Sequence, residues 1–216
     1  TPGAAERLAP TRQVNGTDGH VSTVHGLEDA GFTRQPPARD YVFRLDPGLT
    51  AKDGQTLGYP WIGIVENWHE RAFTSFGDRH GVWETGGGGR VPFYSRNYTG
   101  VTERRVRLTP DELMPRIAAL EEKNFAELPP VAGTARALAV TPDVTQSHGV
   151  DLGPILSSQG TGLAWVAVTP GAPIERAATT ARTTSTVVQV TNLGITVKDS
   201  PQSTLVFVTR LDTGEP

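Results

Sequence analysis

The chain has 216 residues, enough for two domains of ordinary size, and its 37% hydrophobic and 20% charged residues allow a buried core and argue against wholesale disorder. A formal net charge of −3 with no lysine or arginine run excludes the concentrated basic face that nucleic acid requires. The absence of cysteine excludes thiol catalysis, disulfides, thiolate zinc sites and iron–sulfur clusters.

Residues 1–38 are polar and rich in Gly, Pro and Thr, with one short apolar patch at Val21, Val24 and Leu27, and read as loosely ordered or as edge strands. Tyr41, Phe43 and Leu45 then alternate with polar neighbours, the period of a half-buried strand, and Asp46-Pro47-Gly48 ends it as a turn. Tyr59 to Val65 and Arg71 to Phe76 read as the closing strands of a first module. Gly86 to Gly89 is an uninterrupted glycine run and reads as a linker or a hairpin tip. A phosphate cradle would need a helix after the run and a Lys-Ser/Thr pair, and neither follows.

Strands are expected at Val91 to Asn97 and Glu103 to Leu108. Thr109-Pro110-Asp111-Glu112 carries the marks of a helix start: Thr as N-cap, Pro in the first turn and Glu three residues on. Leu113, Ile117 and Leu120 fall on one face, and Pro115 predicts a kink or two short pieces before an end near Asn124. Strands resume at Ala135 to Val140, Gly149 to Leu156 and Leu163 to Val168. Ala177 to Ser185 reads as a connector, followed by β-branched runs at Thr186 to Thr191, Ile195 to Lys198 and Thr204 to Leu211. Short strands with turn signals every 8–12 residues predict an all-β fold of sandwich type.

No stretch approaches the roughly 18 apolar residues of a membrane span. The first residues show no signal peptide, and both ends read as cut from something longer.

Chemistry has few candidates. His69 and His80 could approach each other across a hairpin, with Asp78 completing a metal site, but exposed loop histidines are the simpler reading. Ser147, His148 and Asp151 are the residue types of a hydrolase triad, yet neighbours on a strand point to opposite faces. Glu66, Glu84 and Asp78 could pair for glycoside hydrolysis beside Trp61, Trp68 and Trp83, which could themselves stack on sugars; core and inter-domain packing is the commoner use of such indoles. Asn15 and Asn97 stand in glycosylation sequons, which in a bacterial protein are accidental matches. No nucleophile, base and oxyanion donors group together, so a scaffold or binding module is expected, with no catalytic, cofactor or metal residues.

Val188 to Lys198, which contains Val190-Thr191-Asn192-Leu193-Gly194-Ile195, together with Leu205 to Pro216, which ends in Asp212-Thr213-Gly214-Glu215-Pro216, resembles the opening of a macroglobulin-like domain in bacterial α2-macroglobulins. Val91 to Asn97 and Gly162 to Val168 are similar to the first and last strands of another such domain, and residues 40–76 to the closing half of a bacterial immunoglobulin-like domain. The resemblance implies tandem sandwiches: an immunoglobulin-like module over 1–86, a macroglobulin-like one over 89–173 with a helical insertion at about 109–124, and the first strands of a further domain over 184–216. It also implies a structural, non-enzymatic segment of a periplasmic or extracellular protease trap. Proteases would be met through a bait region or thioester outside this chain, and neighbouring macroglobulin-like domains would be its direct partners. A cell-surface adhesive or carbohydrate-binding module is the alternative.

Overall fold

A computed structural model describes Glu28, residues 31–77 and residues 80–216. The apolar patch at Val21, Val24 and Leu27 lies outside the described residues. The described chain is mostly strands in open sheets, with one α-helix, and it divides after Trp68 into two compact units.

The first unit contains an antiparallel hairpin of β1 (Arg39–Leu45) and β2 (Trp61–Asn67). Tyr41, Phe43 and Leu45 stand opposite Val65, Gly63 and Trp61, so the alternating pattern predicts the half-buried face. Asp46 closes the turn after β1 by accepting the Gly48 N–H at 2.8 Å. Gly63 is required by a close approach: a Cβ there would come within 2.2 Å of the Trp61 indole. The opposite face leaves Val42, Ile62 and Ile64 exposed.

The second unit begins with β3 (His69–Ser75), β4 (His80–Glu84), β5 (Arg90–Arg96) and β6 (Gly100–Leu108). After the helix α1 (Pro110–Glu122) come β7 (Thr134–Ala137), β8 (Gln146–Asp151), β9 (Gly162–Pro170), β10 (Ala177–Thr179) and β11 (Thr184–Thr191). Last are β12 (Leu193–Asp199) and β13 (Thr204–Arg210). One sheet runs β10-β3-β5-β8 and another β4-β11-β9-β6-β7. Val91, Phe93 and Val150 of the first sheet share one buried cluster with Val101, Ala164, Val166, Val168, Val188 and Val190 of the second. This shared apolar core is what holds the unit together.

Strand β9 is buried on both faces. Ala164, Val166 and Val168 enter the shared core, and Trp165 joins Leu108, Leu120, Phe125 and Val187 under the helix. That is why Leu163 to Val168 reads as a continuous apolar run rather than an alternation. The helix is a single 13-residue segment despite Pro115, so no break into two pieces occurs. It starts where Thr109 predicts. The Glu112 carboxylate accepts from the Thr109 N–H at 2.7 Å and its hydroxyl at 2.9 Å, and the first of these bonds holds Glu112 below its usual carboxylate range. It ends through two left-handed residues, Asn124 (φ 53°) and Phe125 (φ 57°), whose cost is offset by burial of the Phe125 ring.

The division of the chain differs from the expected 1–86, 89–173 and 184–216. β3 and β4 do not close a first module with β2: β3 pairs with β5 and β10, and β4 lies parallel to β11. His80 stands opposite Val187, a pairing between residues so distant in sequence that no local pattern reports it. The glycine run is therefore not an inter-domain linker. Thr85–Gly87 is a 3-10 turn that carries the chain from β4 to β5 within the second unit, and a Cβ on Gly87 would lie 2.9 Å from the Trp83 indole nitrogen. β11 completes the five-stranded sheet. β12 and β13 pair with each other as a separate hairpin, with Leu193, Ile195, Val197, Val206, Phe207 and Val208 exposed.

Candidate functional site

Among the described residues, those singled out from the sequence are spread over several strands. His69 opens β3 in the four-stranded sheet and His80 opens β4 in the five-stranded sheet, while Asp78 lies outside the described residues. Among the described residues no group of three or more His, Asp or Glu side chains is placed to hold a metal ion. Ser147 is exposed and opposite Tyr94, whereas His148 turns the other way, opposite Phe93. Glu66 accepts the Trp68 indole N–H at 3.1 Å. Trp61 and Trp68 are about half exposed in the first unit, and Trp83 packs against the core of the second. Asn15 is outside the described residues; Asn97 is 1% exposed, which leaves its amide no room for a glycan.

Two polar clusters inside the second unit do form. The first gathers around Asn97 in the turn between β5 and β6. Asn97 (φ 59°) and Asp143 (φ 64°) both adopt the left-handed conformation that Asn and Asp tolerate best among non-glycine residues. The Asn97 side chain donates to the Glu70 carbonyl at 2.7 Å and to Asp143 Oδ1 at 3.0 Å, and accepts the Asp143 N–H at 2.8 Å. Asp143 also accepts the Glu70 N–H at 2.7 Å and pairs with His69 Nδ1 at 2.8 Å. Burial pushes the Asp143 carboxyl up, but the bonds from Asn97, His69 and Glu70 together hold it below its ordinary value. The cluster pins the first two residues of β3 to two loops of its own unit.

Asn97→Gly keeps the backbone conformation and removes all three side-chain bonds. It is expected to destabilise the second unit by about 1–2 kcal/mol. A urea unfolding midpoint within error of wild type would contradict that role.

The second cluster lies between the sheets. Glu103 of β6 is 6% exposed, and its Oε1 accepts from Arg136 Nη1 of β7 at 2.6 Å. The same nitrogen donates to the Gly149 carbonyl of β8 at 2.8 Å. Arg105 stands 3.7 Å from the other Glu103 oxygen. Burial holds the Glu103 carboxyl above its ordinary value, against the pull of Arg136 and Arg105. Beside it, His148 Nε2 hydrogen-bonds Ser95 Oγ at 2.9 Å, and its ring lies 5.2 Å from that of Phe93. That distance suits a nucleophile and its base, but Ser95 is 3% exposed and out of reach of a substrate.

No protein-family model and no curated protein matches the chain. Solved structures do. A crystal structure of native α2-macroglobulin from Escherichia coli spanning domains MG0-NIE-MG1 is similar over 83% of this chain, at 16% identity and a TM-score of 0.51. A Salmonella α2-macroglobulin mutant is similar over 82%, at 16% identity and a TM-score of 0.56. A cryo-EM reconstruction of the E. coli protein in its native conformation matches over 83%, at 16% identity and a TM-score of 0.51. The chain has the fold of these macroglobulin-like segments. It spans 59% of the length of the first of those chains, 10% of the second and 12% of the third.

Proposed function

We propose that this chain is a structural, non-enzymatic segment of a bacterial α2-macroglobulin-like protease trap. The likeness over more than four-fifths of the chain to α2-macroglobulin structures carries the reading. The core shared by the two larger sheets supports a macroglobulin-like β-sandwich as the centre of the segment. The separate β12–β13 hairpin, apolar and exposed, supports its reading as the opening of a further macroglobulin-like domain, because two strands alone bury too little to be stable.

In this reading the segment supplies architecture. It holds in place the parts of a larger protein that proteases cut, in the periplasm or outside the cell. Among the described residues no helix is long and apolar enough to cross a membrane. The complete protein mixed with trypsin should form a complex that carries protease through size exclusion; trypsin eluting alone at every ratio would refute the trap. An adhesive or carbohydrate-binding module is the second reading, for which half-exposed Trp61 and Trp68 would be the contact residues. Glycan binding that is lost in Trp61→Ala would move that reading to first place.

A further inference from the structure

β7 and β8 are edge strands of the two larger sheets, and Arg136 ties them together. One guanidinium nitrogen bonds both the Glu103 carboxylate beside β7 and the Gly149 carbonyl on β8. The guanidinium lies 5.6 Å from the centre of the Phe93 ring, which His148 also contacts. His148 therefore sits one residue from the carbonyl that Arg136 holds, against a shared aromatic ring, with its Nε2 bonded to the buried Ser95 hydroxyl. Nothing in the scaffold role requires an ionisable ring there.

We propose that His148 makes the β7–β8 seam a pH-sensitive latch, closed while the imidazole is neutral and loosened when it takes up a proton. A protonated ring would be a second cation next to Arg136 in a half-buried place. Arg136 on β7 is the charge that acts on the ring; the other charges of the seam are Glu103 and Arg105 on β6, Asp151 on β8, and Arg90 on β5, whose side chain lies along Gly149. Glu103 is already committed to Arg136 and does not reach His148 in any bond. Burial first, and Arg136 second, hold the imidazole below its ordinary value.

The sign follows from linkage. A histidine whose folded value is depressed contributes stability that is fully present above its unfolded value of about 6.5 and is lost as pH falls toward the folded value. Glu103 acts in the opposite sense. Its raised value means the folded state binds a proton more readily than the unfolded one, so acidification above about pH 4.5 favours the fold at that position. A loss of protection at β7 and β8 on mild acidification therefore does not come from Glu103.

The test is amide hydrogen exchange of the full chain at about pH 7.5 and about pH 5.5, corrected for intrinsic rates, with the His148 ring titration followed by NMR. Amides of β7 and β8 should lose about ten-fold protection at the lower pH while β9 and β11 keep theirs. His148→Gln, which retains a partner for Ser95 but cannot titrate, should abolish the difference. Arg136→Met should raise the midpoint of the ring. Equal loss in His148→Gln, or unchanged protection in wild type, would overturn the latch. Should His148→Gln fail to fold, a wild-type midpoint at or above the ordinary histidine value would overturn it too.

Discussion

Trp165→Ala is expected to lower the unfolding free energy of the second unit by about 3–5 kcal/mol. The side chain is 2% exposed and joins three elements at once. Its ring lies against Leu108 of β6, Leu120 of the helix and Val187 of β11. The indole N–H donates to Ser185 Oγ at 2.7 Å, and that hydroxyl donates onward to the Val166 carbonyl at 3.2 Å. The Arg116 guanidinium sits 3.8 Å above the ring, which adds a cation–π contact from the helix. Truncation leaves a cavity under α1 and removes the donor to Ser185 Oγ, which keeps its bond to the Val166 carbonyl, so the loss comes mainly from the cavity. Urea unfolding measures the loss. Hydrogen exchange should show residues 110–122 released first, because α1 meets the sheet mainly through this cluster. A loss below about 1 kcal/mol would mean that the helix is held elsewhere.

Arg136→Met should cost about 2–4 kcal/mol, for a different reason. It leaves Glu103 almost fully buried with its closest cation gone, and it leaves the Gly149 carbonyl without its donor. The figure stays below that for a fully buried pair, because the Arg136 side chain is 33% exposed and Arg105 remains nearby. The decisive comparison is the double variant with Glu103→Gln. Removing the stranded charge should recover about 1 kcal/mol or more of the single-variant loss. Additive losses would show that the two side chains do not act on one another, and the seam would then need another account.

Much of the strand content was legible because each strand carries its own signal. Tyr41, Phe43 and Leu45 alternate, Leu163 to Val168 is apolar throughout, and the helix announces itself by Thr109 and Glu112. What was not legible is which strand lies beside which. His80 to Glu84 is too short and too rich in glycine and histidine to read as a strand, and it becomes one by lying along β11. Ala177–Thr179 reads as a connector for the same reason, and joins β3 only at the sheet edge. The boundary at Trp68 follows from these pairings, so composition, which marks the glycine run instead, misplaces it.

The polar clusters were less legible still. His148 stands out in sequence beside Ser147 and Asp151, but its partner is Ser95, brought within reach by the pairing of β5 with β8. Asn97 shows only a sequon, although its left-handed backbone and three side-chain bonds make it the pivot of the turn. Glu103 and Arg136 look like ordinary polar positions on strands. Their burial and their pairing arise when β6 and β7 meet the other sheet, which is a tertiary event without a local signature.

The measurement that bears most directly on the proposed role uses the complete protein, saturated with trypsin. Residual activity is compared on a small chromogenic peptide and on a bulky protein substrate. The trap predicts that cleavage of the small substrate persists while cleavage of the large one is lost, since an enclosed protease still admits peptides. Equal activity on both substrates would contradict it, and the segment would then have to be explained by the surface around Trp61 and Trp68 instead.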